Sequence, residues 1–217
     1  MSSVVLVGGG SSIKPNIPLV WDTIKTNNIP VWSINFAYKW IPYNPTRQIW
    51  SDKSVWDQCA KDFERMYREG VSIVAKERPK FYPDWVTTYK VNMDARKVSE
   101  DLFVGLNGLS GLLALSLAIR EGFTNIYLLG YDAGTTNPSD KNTHWYMEHA
   151  EQQKIISSGF RRPVVYLSDA NTLKNPDDYQ WFAKYYDRIY NVSLSSNIHT
   201  FKKISYQDFY DAISINK

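Results

Sequence analysis

Val4-Val5-Leu6-Val7-Gly8-Gly9-Gly10-Ser11-Ser12 is the stretch from which the fold can be read. A β-branched and leucine run of this kind makes a short strand, and the glycines after it make a tight turn. Pro18 then suits the start of a helix that reaches Lys25 and stops at Asn27-Asn28. Residues 29–35 read as a second strand. Strand, glycine turn, helix and strand in succession form a βαβ unit.

The same alternation continues outward. Residues 48–51 predict a strand ending at Asp52, and residues 56–69 a helix with Trp56, Cys59, Phe63, Met66 and Tyr67 at helical spacing, stopped by Gly70. Residues 71–75 read as a strand. Residues 76–99 are irregular, basic and aromatic, and suggest a surface excursion. Asn107-Gly108-Leu109-Ser110-Gly111 opens a helix that runs to Glu121, and residues 125–129 form an apolar strand stopping at Gly130-Tyr131-Asp132. Helices over 148–157, 177–185 and 205–213, and strands over 164–167 and 188–192, complete the pattern. The expectation is one α/β domain over 1–217, a Rossmann-like, doubly wound and mostly parallel sheet. Residues 76–99 would serve it as a lid or acceptor loop. Ligands of such sheets bind at the carboxyl ends of the strands, here Gly8–Ser12, Asn35, Asp52, Asp132 and Ser193.

Composition narrows the class. With 43% hydrophobic residues in 217, the chain is neither disordered nor collagen-like. The net charge of +3 does not by itself announce a nucleic-acid binder. Its 8 Trp, 15 Tyr and 9 Phe exceed what a core needs, so some rings are expected to line a groove or interface. Lone Cys59 excludes an intramolecular disulfide and a cysteine zinc site. The longest apolar run, 112–119, is far short of the ~18–20 residues that span a bilayer, and no signal-peptide pattern opens the chain. These features lead us to expect a cytoplasmic protein without a membrane span.

Five groups of residues can carry chemistry. Gly8, Gly9, Gly10, Ser11 and Ser12 offer backbone N–H groups beside a helix start, which suits a phosphate, although a tight turn alone would explain them. Neither a P-loop nor a dinucleotide fingerprint fits, because Pro15 follows Lys14 and Ile13 replaces the third glycine. Asn107, Ser110 and Gly111 form a second small-residue turn before a helix, with a helix cap as the simpler alternative. Gly130 and Tyr131, expected among the nucleotide-binding residues, lead into Asp132, a catalytic candidate beside His144 whose carboxylate can accept hydrogen bonds from a ribose or base, or merely form a turn. His144, after a polar loop and beside Trp145, is the best general-base candidate, since imidazole titrates near pH 6.5. His144 and His149 with Asp132 match no helical zinc spacing, so no metal is expected. Finally, Lys76, Arg78, Lys80, Lys90, Arg96 and Lys97 interleave with Phe81, Tyr82, Trp85 and Tyr89, as in a lid or a nucleic-acid groove.

These motifs resemble those of the bacterial CMP-sialic-acid-dependent sialyltransferases. Those enzymes carry a Gly-Asn-Gly-Pro-Ser-Leu turn, an Asn after the second strand, and Ser-Gly followed by Gly-Ile-Asp at the same separation. The pattern is also similar to the 6-hydroxymethylpterin diphosphokinase-like group. It most resembles tailed-phage proteins with Gly-Tyr-Asp, a loop and His-Trp-x-x-x-His, here Gly130-Tyr131-Asp132 and His144-Trp145…His149. The tail from Tyr190-Asn191-Val192-Ser193 through Ser196 and Ile198 to Phe201 fits that phage pattern. The resemblance implies that Gly8, Gly10, Ser12, Asn35, Ser110 and Gly111 hold a nucleotide and that His144 is the base. Gly9, Leu109 and Gly134 depart from the family's Asn, Thr and Tyr, which argues against an identical donor.

The expected activity is therefore transfer of a sugar from a nucleotide sugar to a hydroxyl acceptor, without a metal and without a tightly bound cofactor. The phage resemblance makes a virion component or a hydroxymethylated DNA base the acceptor. Diphosphate transfer to a pterin-like alcohol, which would need Mg²⁺, and non-catalytic binding of a nucleotide or nucleic acid are the alternatives.

Overall fold

The Val4–Val7 run becomes the centre of an eight-stranded parallel sheet, and all four side chains are completely buried. The computed structural model describes residues 2–10, 12–13, 18–77, 81–90, 110–133 and 176–214. The strands are β1 (Ser3–Val7), β2 (Val31–Ile34), β3 (Arg47–Trp50), β4 (Ser72–Lys76), β5 (Thr87–Tyr89), β6 (Asn125–Leu129), β7 (Ile189–Asn191) and β8 (Lys202–Lys203). Their order is β5-β4-β3-β2-β1-β6-β7-β8, and every pairing is parallel. The chain winds outward from β1 to β5 and then returns to the other side of β1 with β6. The β1–β6 junction is the topological switch point of a Rossmann-like, doubly wound fold.

Alternation along the strands builds two cores. Val5 and Val7 face helices α1 (Pro18–Thr26), α2 (Lys53–Arg68) and α4 (Tyr206–Ser214), which bury Trp21, Ile24, Phe63, Met66, Phe209 and Ile213. Val4 and Leu6 face α3 (Ser110–Arg120) and a 3₁₀ run over Pro176–Arg188 that is interrupted at Tyr185. Helix α3 buries seven of its eleven residues, as its near-continuous apolar sequence requires. Helix α2 ends at Gly70, with Gly70 N bonded to Tyr67 O (3.0 Å) and Val71 N to Met66 O (2.9 Å). That is a Schellman closure. Gly70 (φ +88°) takes its left-handed position, and Asn28 (φ +51°) does the same for α1.

Three described elements were not expected from the sequence: a 3₁₀ turn over Ala37–Trp40, the edge strand β5 and the two-residue β8. Strand β5 lies inside the basic and aromatic excursion and pairs with β4 through Val74↔Thr87, Ala75↔Thr88 and Lys76↔Tyr89. Aromatic residues before β5 pack onto rings of β3 and α2, with Phe81 left exposed. Buried Trp50 stacks on Phe63 (4.5 Å between centroids) and Trp56 (5.7 Å). Trp56 contacts Tyr82 and Trp85, and Trp85 stacks on Tyr67 (5.2 Å). Rings from β3, α2 and residues 81–85 thus form one continuous layer. The helix expected over 148–157 and the strand over 164–167 lie outside the described residues.

Helix α4 starts with a reciprocal cap. Ser205 N (3.0 Å) and Oγ (2.6 Å) donate to the Asp208 carboxylate, and Asp208 N donates back to Ser205 Oγ (3.0 Å). These bonds favour the ionised carboxylate and hold Asp208 below its ordinary value. A depressed carboxyl stabilises the fold above its unfolded pKa, near 3.9, and loses that contribution as pH falls through the folded value. Ser205→Ala is expected to cost about 1 kcal/mol at neutral pH. Urea unfolding of the two proteins should show this gap narrowing as pH is taken below about 3.9.

Candidate functional site

At the switch point, the ends of β1 and β6 are joined beyond the strand ladder. Gly8 N donates to Leu129 O (2.7 Å) and Gly10 N to Gly130 O (2.8 Å). Ser12 then gives both its backbone N–H (2.7 Å) and its hydroxyl (2.5 Å) to the carboxylate of Asp132, which is buried. The hydroxyl of Tyr206, at the start of α4, closes the turn from above by donating to Ser12 O (3.1 Å). The glycines make this approach possible. A Cβ on Gly10 would stand 2.5 Å from Asp132 Oδ2, and one on Gly130, already at φ +67°, would stand 2.6 Å from Ile13 Cδ1.

This arrangement changes what the glycine turn offers a ligand. The N–H groups of Gly8, Gly10 and Ser12 donate within the protein, as does that of Ile13, to Gly10 O (3.3 Å). Gly9, half-buried, is the described residue of the turn whose N–H is not drawn into this net. The protein's own carboxylate takes the place where a turn of this kind would receive an anion.

The far side of Asp132 is fixed by the end of β7 and the segment that follows it. Asn191 Nδ2 donates to Tyr131 O (3.0 Å) and to Ser196 Oγ (2.9 Å), and Ser196 Oγ donates to Tyr131 O (2.8 Å). Asn197 N donates to Asp132 O (2.9 Å). Both Asn191 and Ser196 are buried, so these bonds operate out of water, where leaving them unmade would be costly. Tyr131 is also committed to the fold. Its ring packs against Gly111 and Tyr179, its hydroxyl donates to Gly111 O (3.2 Å), and burial pushes the phenol well above its usual range. Ser110, the first residue of α3, accepts a hydrogen bond on Oγ from Ser51 N (2.9 Å), tying that helix start to the end of β3.

Asn35 ends β2 in the left-handed region (φ +55°), with its N–H on Ile49 O (2.9 Å) and its carbonyl taking the amide of Gln48 (2.8 Å). The side-chain oxygens of Asn35, Gln48 and Ser33 are buried and have no partner. Each such atom costs roughly 1–3 kcal/mol. Gln48 and Ser33 were not anticipated from the sequence, where a lone polar residue in an apolar strand reads as an interruption. The amide of Gln58 on α2 is likewise buried and unpartnered.

The structure therefore brings together Gly8, Gly9, Gly10, Ser12, Gly130, Tyr131 and Asp132 at the switch point, with Asn35, Ser110 and Gly111 at neighbouring strand and helix ends. Ser11, Asn107, His144, Trp145 and His149 lie outside the described residues, as do Arg78, Lys80, Arg96 and Lys97. Among the described residues, no group of three or more His, Cys, Asp or Glu is placed to hold a metal ion. No helix among them is long and apolar enough to cross a membrane.

Compared with protein-family models, curated proteins and solved structures, the chain matches none of them. The arrangement of strand ends is thus the basis for any functional reading. It is a Rossmann-like site of the kind that many nucleotide-binding enzymes use.

Asp132 is the residue on which this geometry turns. Asp132→Asn turns two charge-assisted hydrogen bonds from Ser12 into weaker neutral ones, and should lower the unfolding free energy by about 1–3 kcal/mol. Gly10→Ala forces Cβ into the same carboxylate and should cost a similar amount, about 1–3 kcal/mol. Urea midpoints unchanged in both variants would show that the clamp does not stabilise the fold.

Proposed function

We propose that this chain is a nucleotide-sugar-dependent transferase that acts on a hydroxyl acceptor and needs no metal ion. The observation that supports the reading is the meeting of the Gly8–Ser12 turn with Gly130–Asp132 at the sheet's switch point. Asn35 and the start of α3 stand at adjoining ends. In a doubly wound sheet, this crevice is where a nucleotide lies.

In this reading Asp132 is a positioning residue. Its carboxylate holds Ser12 and so shapes the turn, which leaves acid–base work to another group. His144 takes that part. It removes the proton from the acceptor hydroxyl as the hydroxyl oxygen bonds to the sugar carbon, and the bond from that carbon to the nucleotide's phosphate oxygen breaks. Charge growing on the leaving phosphate is met by the positive end of α3 and by the N–H of Gly9. The resemblance to phage proteins makes a virion component or a hydroxymethylated DNA base the acceptor we propose to test first.

A panel of nucleoside mono- and diphosphates, with and without Mg²⁺, tests the donor site by thermal shift. Stabilisation should grow with nucleotide concentration and persist in the presence of chelator. His144→Ala should keep that stabilisation while sugar transfer falls by about 10²-fold or more. Transfer at an unchanged rate would remove His144 from the mechanism.

A further inference from the structure

Ser33 and Gln48 are neighbours in the register of β2 and β3, and Ser33 lies beside Val7 of β1, one residue before the glycine turn. Both are completely buried. Strand alternation puts their side chains on the face of Val31 and Trp50, where the surrounding core is apolar and rich in aromatic rings. Apolar residues at both positions would have been the stabler choice for packing alone.

The orientation of the Gln48 amide is fixed. Its Nε2 donates to Asn35 O (2.8 Å) and approaches Ile49 O (3.5 Å), and a flipped amide would set its oxygen against those carbonyls. The atom left over is Oε1, an acceptor without a partner. Asn35 is held in its left-handed conformation by Ile49 and Gln48, and its Oδ1 is a second acceptor without a partner. The hydroxyl of Ser33 is the third orphan and can accept as well as donate. Asn35 is half-buried at the end of β2, while Ser33 and Gln48 lie fully buried within the strands.

We propose that Ser33, Asn35 and Gln48 form a ligand subsite that receives hydrogen bonds from an N–H- or O–H-bearing part of the substrate. This rests on the nucleotide reading above and adds a direction to it. Phosphate and carboxylate groups, which only accept, are turned away from the ends of β2 and β3, so the phosphate lies toward β1 and α3. The donor-bearing head, an exocyclic amino group of the base or a hydroxyl of the sugar, lies over β2 and β3. Gln48 contributes twice, by fixing Asn35 through Nε2 and by offering Oε1.

The test compares CMP with UMP and AMP with IMP, pairs that exchange one amino group for a carbonyl, alongside ribose 5-phosphate and inorganic phosphate. Affinities are read by thermal shift on the wild-type chain, Ser33→Ala and Asn35→Gly. Glycine tolerates the left-handed backbone at position 35, and alanine at 33 removes an unpaired buried hydroxyl, so both free proteins should be as stable as the wild type or more so. Each variant should bind the preferred nucleotide roughly tenfold more weakly. If an exocyclic amino group supplies the donor, the amino member of each pair binds better; if a ring N–H supplies it, the carbonyl member does; the variants erase either preference. If the sugar supplies it, the pairs bind equally, and the variants weaken ribose 5-phosphate instead. Equal affinities in the wild type and both variants would overturn the subsite while leaving nucleotide binding intact. The absence of a shift with any nucleotide in the wild-type chain would overturn the nucleotide reading and the subsite together.

Discussion

The bond between Ser12 and Asp132 joins residues 120 positions apart and sets the geometry of everything around it. A buried carboxylate is tolerated only when hydrogen-bond donors surround it, and Ser12 supplies both an N–H and an O–H. Once Asp132 is fixed, its own carbonyl is held by Asn197, and the preceding carbonyl by Asn191 and Ser196. The Tyr131 side chain between them reaches α3 through Gly111, and Tyr206 brings α4 onto Ser12. Two helices and the segment after β7 therefore take their positions from one acidic residue at the end of a central strand. Within this buried network Ser196 makes one donated and two accepted bonds, while the Asn191 amide donates twice and its Oδ1 has no partner.

Most of the architecture was legible in the sequence because its signals are local. Apolar runs at Val4–Val7 and 125–129, helical spacing in α2 and the stops at Asn28 and Gly70 depend on residues within a few positions of one another. Strand β5 was missed because three residues at a sheet edge, two of them exposed, carry no apolar pattern. The site was legible only in part, and for the opposite reason. Sequence shows that glycines, Ser12 and Asp132 belong at strand ends, but not that Ser12 and Asp132 bind each other and so remove donors from the turn. Tyr131 and Ser110 were read as ligand groups, and the fold adds a structural bond to each, to Gly111 O and from Ser51 N. Gln48 and Ser33 gain their interest from lacking partners, which only a folded chain can show.

The aromatic content has a comparable explanation. Trp50, at the end of β3, needs large flat neighbours to fill the space between sheet and helix, and Phe63, Trp56 and Tyr82 supply them. Each further ring covers the one before it until Tyr67 reaches solvent. Offset and edge-on contacts of this sort are worth more than their buried area alone. They also anchor residues 81–85 to α2.

Placing β1 between β2 and β6 has a consequence for the growing chain on the ribosome. Residues 3–7 emerge ahead of β2 and can pair with it early, but their other edge waits for residues 125–129. At ordinary rates of synthesis, ~5–20 residues per second, that delay lasts roughly 6–24 s. Throughout it, an apolar strand presents open backbone donors and acceptors to whatever lies nearby, which is a recognised route to aggregation. The late arrival of β6 brings Gly130 and Asp132 with it, so sealing the exposed edge and assembling the crevice are the same folding event.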